Sequence, residues 1–322
     1  MSAATARAHP NIALVKYWGK RDEELVLPAA GSLSLTLDAF PTTTTVRLDP
    51  AAREDSFELN GDPAAPAQTA RVGRFLDHVR LRAGSAVSAR VSSVNEAPTG
   101  AGLASSAAGF AALATAAASA YGLPLDSAGL SRLARRGSGS AARSIVPGLA
   151  VWHAGDDETS FAEPIAGPAM RMVIVTVDRS QKPVSSREAM RRTALTSPFH
   201  GAWAVSAESS LRAMTAACRA GDFTRVGRIA ESNALRMHAV IQSADPPIRY
   251  LTARGTAVFD EVEALRREGL EAYATADAGP NVVAIVRPDD ADDVAARLAG
   301  LGAVQVVGPG PGARLVSQEE DA

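Results

Sequence analysis

One stretch constrains this chain more than any other. Residues 98–121 read PTGAGLASSAAGFAALATAAASAY, a glycine- and serine-rich turn that passes directly into a long alanine-rich segment. Glycines let a backbone approach a ligand closely and adopt positive φ. A helix starting there presents unpaired N–H groups and the positive end of its dipole. Together they make an anion site suited to a nucleotide triphosphate, with Ser105 and Ser106 adding hydroxyls. No Gly-Lys-Ser/Thr follows the glycines, so this is not a Walker A loop. Taken alone, the stretch is equally well explained as a tight turn before a closely packed helix.

The flanking segments mix two periodicities. Ser32–Leu37 and Val87–Val94 alternate polar and apolar residues, which predicts half-buried strands, and Thr42–Leu48 is a further β-rich run. Pro66–Ala83 has helical spacing, and Asp126 is placed to cap a helix running to Arg135. Met172–Val177 reads as a buried strand and Asp178–Pro183 as a hinge. Residues 185–268 read as helical, broken near Asp245-Pro246-Pro247. Two strands follow, Ala272–Thr275 and Asn281–Val286, then a helix at Ala291–Leu298 and a strand at Ala303–Val307. The Gly/Pro-rich and then acidic tail from Gly308 is expected to fray. The mixture is α+β in two halves, residues 1–180 and 181–322.

Charge and cysteine content exclude several classes. Over 322 residues the formal net charge is −2, far from the basic surface that non-specific nucleic-acid binding requires. The single cysteine, Cys218, can form neither an internal disulfide nor a Cys-rich zinc site. The histidines are scattered without a metal-binding pair. Ala107–Tyr121 is broken by Ser and Thr and reads as packed helix, not membrane span. The N-terminus lacks a signal-peptide pattern, so a cytoplasmic protein with no membrane or nucleic-acid partner is expected.

Three further stretches carry polar groups in patterns worth chemistry. Asn11–Asp22, NIALVKYWGKRD, interleaves Lys16, Lys20 and Arg21 with Tyr17 and Trp18. It is a solvated basic strand end or an anion-binding rim with aromatic walls. Arg136–Ser144, RGSGSAARS, alternates small hydroxyl residues with glycine and closes on Arg143, whose planar fork suits a carboxylate or phosphate. Taken alone, the segment is better explained as a surface loop with a solvated arginine. Thr275–Asn281, TADAGPN, sets Asp277 in a tight turn between two strands, an ordinary use of Asp and also an address for a catalytic base.

These four stretches, in this order, resemble the diphosphomevalonate decarboxylase family of the GHMP kinase superfamily. KPVSSREAM at 182–190 and Glu231-Ser232-Asn233 with His238 are lesser matches to the same family. The chain departs from the family pattern at Ala97, Ala142 and Ala276, positions of packing and substrate fit rather than of chemistry. The resemblance implies a ribosomal-protein-S5-domain-2-like first half and a ferredoxin-like second half, with the active site in the cleft between them. It also implies a homodimer.

The resemblance further implies ATP, Mg²⁺ and mevalonate 5-diphosphate as ligands. Phosphorylation of the C3 hydroxyl makes a good leaving group, and loss of CO₂ then forms isopentenyl diphosphate. On this pattern Asp277 stands near the C3 hydroxyl, Arg143 orients the substrate carboxylate and Lys16 acts near the transferred phosphoryl. Tyr17, Lys20, Ser138, Ser140, Ser186 and Arg187 hold the substrate. Gly100, Gly102, Leu103, Ala104, Ser105 and Ser106 cradle the ATP phosphates. No dedicated protein metal cage is visible, which fits Mg²⁺ held largely by nucleotide oxygens and water. Two alternatives remain: a mevalonate 3-kinase or phosphomevalonate decarboxylase, and a ligand-sensing protein without turnover. Asp277 with Arg143 argues against the kinase, and Tyr17, Lys20 and Arg187 argue for a diphosphate.

Overall fold

The computed structural model describes residues 2–96, 105–180 and 182–317. The chain opens with β1 (Ala3–Ala8), β2 (Asn11–Val15), the short pair β3 (Lys20–Asp22) and β4 (Leu27–Pro28), β5 (Ser32–Thr36) and β6 (Thr42–Asp49). β7 (Ser56–Leu59) and β8 (Asp62–Pro63) lead into α1 (Pro66–Ala83), and β9 (Ser88–Asn95) follows. Next come α2 (Ser105–Ala120), α3 (Ser127–Gly137), the single turn α4 (Ala141–Ser144), β10 (Leu149–Trp152), β11 (Ala162–Pro164) and β12 (Arg171–Thr176). The second half holds α5 (Ser186–Thr196), α6 (His200–Arg219), α7 (Phe223–Gln242), α8 (Ala253–Arg267), β13 (Ala272–Thr275), β14 (Val282–Val286), α9 (Ala291–Leu298), β15 (Ala303–Val307) and β16 (Arg314–Val316).

Three larger sheets and the two-stranded β3-β4 pair organise the described residues of the α+β fold. The first runs β16-β1-β6-β9-β7-β8 and is antiparallel except where β7 pairs with β9. The second runs β11-β10-β5-β2 and the third β13-β14-β12-β15. The alanines of α2 are buried, and their small side chains let this helix lie close on the first sheet, beside Val72, Phe75 and Leu76 of α1. A second core joins the halves. Leu33 and Leu35 of the second sheet, Leu211 and Met214 of α6, Phe223 and Val226 of α7 and Ile285 of the third sheet belong to one cluster. Each such side chain contributes about 1.5–3 kcal/mol by leaving water. The helices α6 and α7 are therefore the packing bridge between the sheets.

Several local expectations hold. Asp126 accepts the Gly129 N–H at 2.7 Å as the α3 cap. The helical run of the second half breaks three times rather than once. The added breaks lie at Ser197-Pro198 and at Gly221-Asp222, where Gly221 takes φ +66° and Asp222 caps α7 through the Arg225 N–H. The strand preceding the expected hinge at 178–183 already pairs within the third sheet, because β12 is buried along Met172–Val175 and needs a strand on each side. The tail does not fray from Gly308. Gly310 donates to the Thr36 carbonyl at 2.8 Å, and β16 pairs with Thr5–Arg7 of β1. Open hydrogen-bonding positions on the first sheet hold it, which composition alone does not reveal. Among the described residues no helix is long and apolar enough to cross a membrane.

Candidate active site

The site forms where the end of β2 meets the turn after β13. Lys16, just past β2, is sealed from solvent, with a side chain 1% exposed. Its Nζ donates to the Ala13 carbonyl at 2.7 Å and to Asp277 Oδ1 at 2.6 Å. Asp277 is the open member of the pair, 31% exposed, so its carboxylate is what a molecule in the cleft would meet. Burial pushes the Lys16 pKa down, the neighbouring Asp277 pushes it back up, and Arg143 adds to the depression. The backbone geometry of the turn is set locally by the Gly279 N–H donating to the Asp277 carbonyl at 2.8 Å.

Arg143 comes from α4 and is 3% exposed. Its Nη1 donates to Ser32 Oγ at 2.6 Å, and its Nη2 and Nε donate to Asn11 Oδ1 at 3.0 and 3.3 Å. Asn11 in turn donates to Ser144 Oγ and the Ser140 carbonyl. No carboxylate among the described residues forms an ion pair with this guanidinium. Burial lowers its pKa to about 10, opposed by the charge of Asp277. A buried cation held only by neutral groups is costly and favours an arriving anion.

A second group lines the same region. The Tyr17 ring meets Trp152 edge-on, with centroids 4.9 Å apart. Its buried hydroxyl has no hydrogen-bond partner among the described residues, and burial drives its pKa up. Gly139 leaves room for it, since a Cβ there would stand 2.7 Å from that oxygen. Ser138 Oγ lies 3.4 Å from both Ser106 Oγ and Ser140 Oγ, so the first turn of α2 and the RGSGSAARS segment face one another. Gly100, Gly102, Leu103 and Ala104 lie outside the described residues, and Ser105 begins α2.

Lys20 is not drawn into the Lys16–Asp277 pair; its ammonium pairs with Glu23. Ser186 Oγ accepts from Lys182 Nζ at 2.7 Å, and the same nitrogen donates to the Ala278 carbonyl at 3.1 Å. Arg187 faces this region closely enough for its charge to act on Tyr17 and on Arg71.

Two cations here escape a reading of the sequence. Lys182 is the first residue of KPVSSREAM, but nothing in that segment shows that its charge reaches Asp277. Arg71 reads as an ordinary arginine of an amphipathic helix. In the fold it donates to the Gly137 carbonyl at 2.8 Å and lies over Phe110 at 4.4 Å. Burial, with Arg187 and Arg74 nearby, lowers its pKa to about 10. Asn11 is quoted within the first motif, yet its grip on Arg143 spans 132 positions.

Comparison with known proteins decides the family. The N-terminal domain model of diphosphomevalonate decarboxylase-like proteins matches residues 8–162, and the C-terminal domain model of mevalonate 5-diphosphate decarboxylase matches residues 172–305. The chain belongs to the diphosphomevalonate decarboxylase family. A diphosphomevalonate decarboxylase of Ganoderma lucidum is 38% identical over 309 residues, covering 87% of this chain and 77% of that protein. The mevalonate diphosphate decarboxylase of Staphylococcus aureus superposes with a TM-score of 0.94 at 38% identity, covering 98% of each chain. A complex of MDDEF with MVAPP, AMPPCP and magnesium superposes with a TM-score of 0.94 at 44% identity, covering 98% of this chain and 99% of that one. The two-domain decarboxylase fold is thus the fold of this chain, from the phosphate-loop helix to the Asp277 turn.

Proposed function

We propose that this chain catalyses the ATP-dependent decarboxylation of mevalonate 5-diphosphate to isopentenyl diphosphate, ADP, phosphate and CO₂. The observation that carries the reading is the pairing of Asp277 with buried Lys16 beside an Arg143 that has no carboxylate partner among the described residues. A substrate carboxylate complements Arg143, and a tertiary hydroxyl complements the open face of Asp277. Arg143 orients more than it clamps, because the charge it binds disappears as CO₂ leaves.

Asp277 accepts the hydroxyl proton during phosphoryl transfer, a role worth about 10²–10⁴-fold, and then faces the electron-poor C3. Lys16 steadies that carboxylate and adds positive charge near the transferred phosphoryl. Tyr17, Lys20, Ser186, Arg187 and Arg71 surround the substrate diphosphate, and Ser138 and Ser140 place the carbon skeleton. The diphosphate displaces Glu23 from Lys20.

The described residues fit the nucleotide. Ser106 stands exposed at the start of α2, and Lys182 lies beside Asp277 with Ser186 as its side-chain partner. Mg²⁺, when bound with ATP, neutralises phosphate charge, with nucleotide oxygens and water as its main ligands. The glycine-rich stretch belongs to the first half of the chain and Asp277 to the second, so the reaction draws on both halves. The family resemblance extends this reading to a homodimer in the cytoplasm, which sedimentation and fractionation test.

The deciding experiment follows ADP and CO₂ together from purified protein given ATP, Mg²⁺ and mevalonate 5-diphosphate. Equal release of both, lost in Asp277→Asn, is the expected result. ADP without CO₂ points to a 3-kinase. Turnover only with the monophosphate or with mevalonate reassigns the substrate, and silence on all three favours a sensing protein.

A further inference from the structure

We infer that α7 is the positioning element of the reacting pair: Asn233 holds the backbone of Lys16 and His238 holds the backbone just ahead of Asp277. One helix thereby sets the Lys16–Asp277 contact across the junction of the halves. The inference rests on the decarboxylase reading for its reaction, not for its geometry.

Asn233 is fully buried, and its Oδ1 accepts the Lys16 N–H at 2.8 Å. Its Nδ2 is equally buried and meets no acceptor among the described residues. A buried amide without an acceptor destabilises the fold, and leucine, of similar size, would avoid the loss. The bond from Lys16 to the Asn233 oxygen is therefore what this side chain contributes.

His238 lies further along the same helix, 2% exposed, with Nε2 3.3 Å from the Ala276 carbonyl. A carbonyl only accepts, so Nε2 carries the hydrogen. Burial foremost, and then the charge of Lys16, lower the pKa of this ring to about 4, with Asp277 opposing. The ring is neutral while Asp277 and Lys16 are at work, and it touches backbone rather than the reacting atoms.

The helix is seated firmly enough for this task. A Cβ at Gly227 would lie 1.9 Å from Tyr273 Cδ2, so only glycine lets α7 approach β13 this closely. Glu231 accepts the Ala274 N–H at 2.7 Å and an Arg266 guanidinium N–H at 2.9 Å. Gly227, Glu231 and His238 thus fix α7 along β13 to the brink of Asp277, while Asn233 fixes it to the end of β2. A misplacement of about 1 Å between reacting groups costs about 10²-fold in rate.

The test uses the full chain and follows ADP and CO₂ in Asn233→Leu, His238→Phe and His238→Gln, with melting temperatures alongside. Asn233→Leu and His238→Phe are expected to lower kcat about 10²-fold, with KM for ATP and for mevalonate 5-diphosphate within about twofold. His238→Gln, whose amide can donate to the Ala276 carbonyl, is expected to recover most of kcat. Its pH profile should parallel that of the wild type above about pH 5, since the ring is not a proton donor there. A folded Asn233→Leu with wild-type kcat overturns the inference. So does a rise in KM at unchanged kcat, or a His238→Gln no better than His238→Phe. If His238→Phe fails to fold, Asn233→Leu and His238→Gln decide. A wild type that releases ADP but no CO₂ overturns the decarboxylase reading instead, and the kcat comparison is then scored on ADP.

Discussion

Lys16 and Asp277 are separated by 261 positions in the chain and by 2.6 Å in the fold, one sealed in the interior and the other open to the cleft. Their partnership sets the charge balance of the site. Replacing Asp277 with Asn should lower turnover at least about 10²-fold, measured as ADP and CO₂ release.

The same replacement should carry a pH-dependent stability cost. Lys16 has a folded pKa below its ordinary 10.5, and loss of Asp277 lowers it further. Between the folded value and 10.5 the unfolded chain binds more protons, so stability rises with pH across that window. Urea unfolding should find the gap between Asp277→Asn and wild type widest where Lys16 is charged in both, and narrowing as pH rises toward its ordinary 10.5.

His238 predicts an acid-side loss. Its folded pKa is about 4 against an ordinary 6.5, so the unfolded state takes up a proton first as pH falls. The contribution is full above 6.5 and disappears on the way to 4, amounting to about 3 kcal/mol. Denaturant midpoints at a series of pH values should show this drop in the wild type and a shallower one in His238→Gln.

Arg143→Lys keeps a positive charge but loses the planar fork. Burial brings the arginine from 12.5 to about 10. Lysine has a lower ordinary pKa than arginine, about 10.4, so the same burial neutralises it more readily as pH rises. An ammonium also cannot hold Asn11 and Ser32 in one plane while facing a carboxylate. KM for mevalonate 5-diphosphate should rise about tenfold or more, with kcat/KM relative to wild type falling further as pH rises.

Gly139→Ala tests the fit around Tyr17. The new Cβ would lie 2.7 Å from the Tyr17 hydroxyl and 2.8 Å from its ring, and Trp152 blocks retreat on one side. Overpacking of this kind costs about 1–3 kcal/mol. The melting temperature should fall, and KM for the diphosphate substrate should rise more than KM for ATP.

The sequence by itself determined what is written in local pattern. Alternation at 32–37 and 87–94 marks two strands, which the fold sets at 32–36 and 88–95 with the first buried throughout rather than half-buried, helical spacing places α1, and Asp126 announces the start of α3. The motifs around Lys16, Arg143 and Asp277 carried the family, because each is a short run of unusual residue types whose order along the chain is itself informative. Tertiary structure alone decided which of those groups meet. Arg143 finds Asn11 rather than an acid, Lys20 finds Glu23, Arg71 turns inward over Phe110, and the tail is captured by β1 instead of fraying. The reason is physical. Periodicity and capping depend on neighbours within a turn or two, whereas burial, ion pairing and the pKa values that follow depend on atoms brought close from remote parts of the chain, and no local pattern encodes those distances.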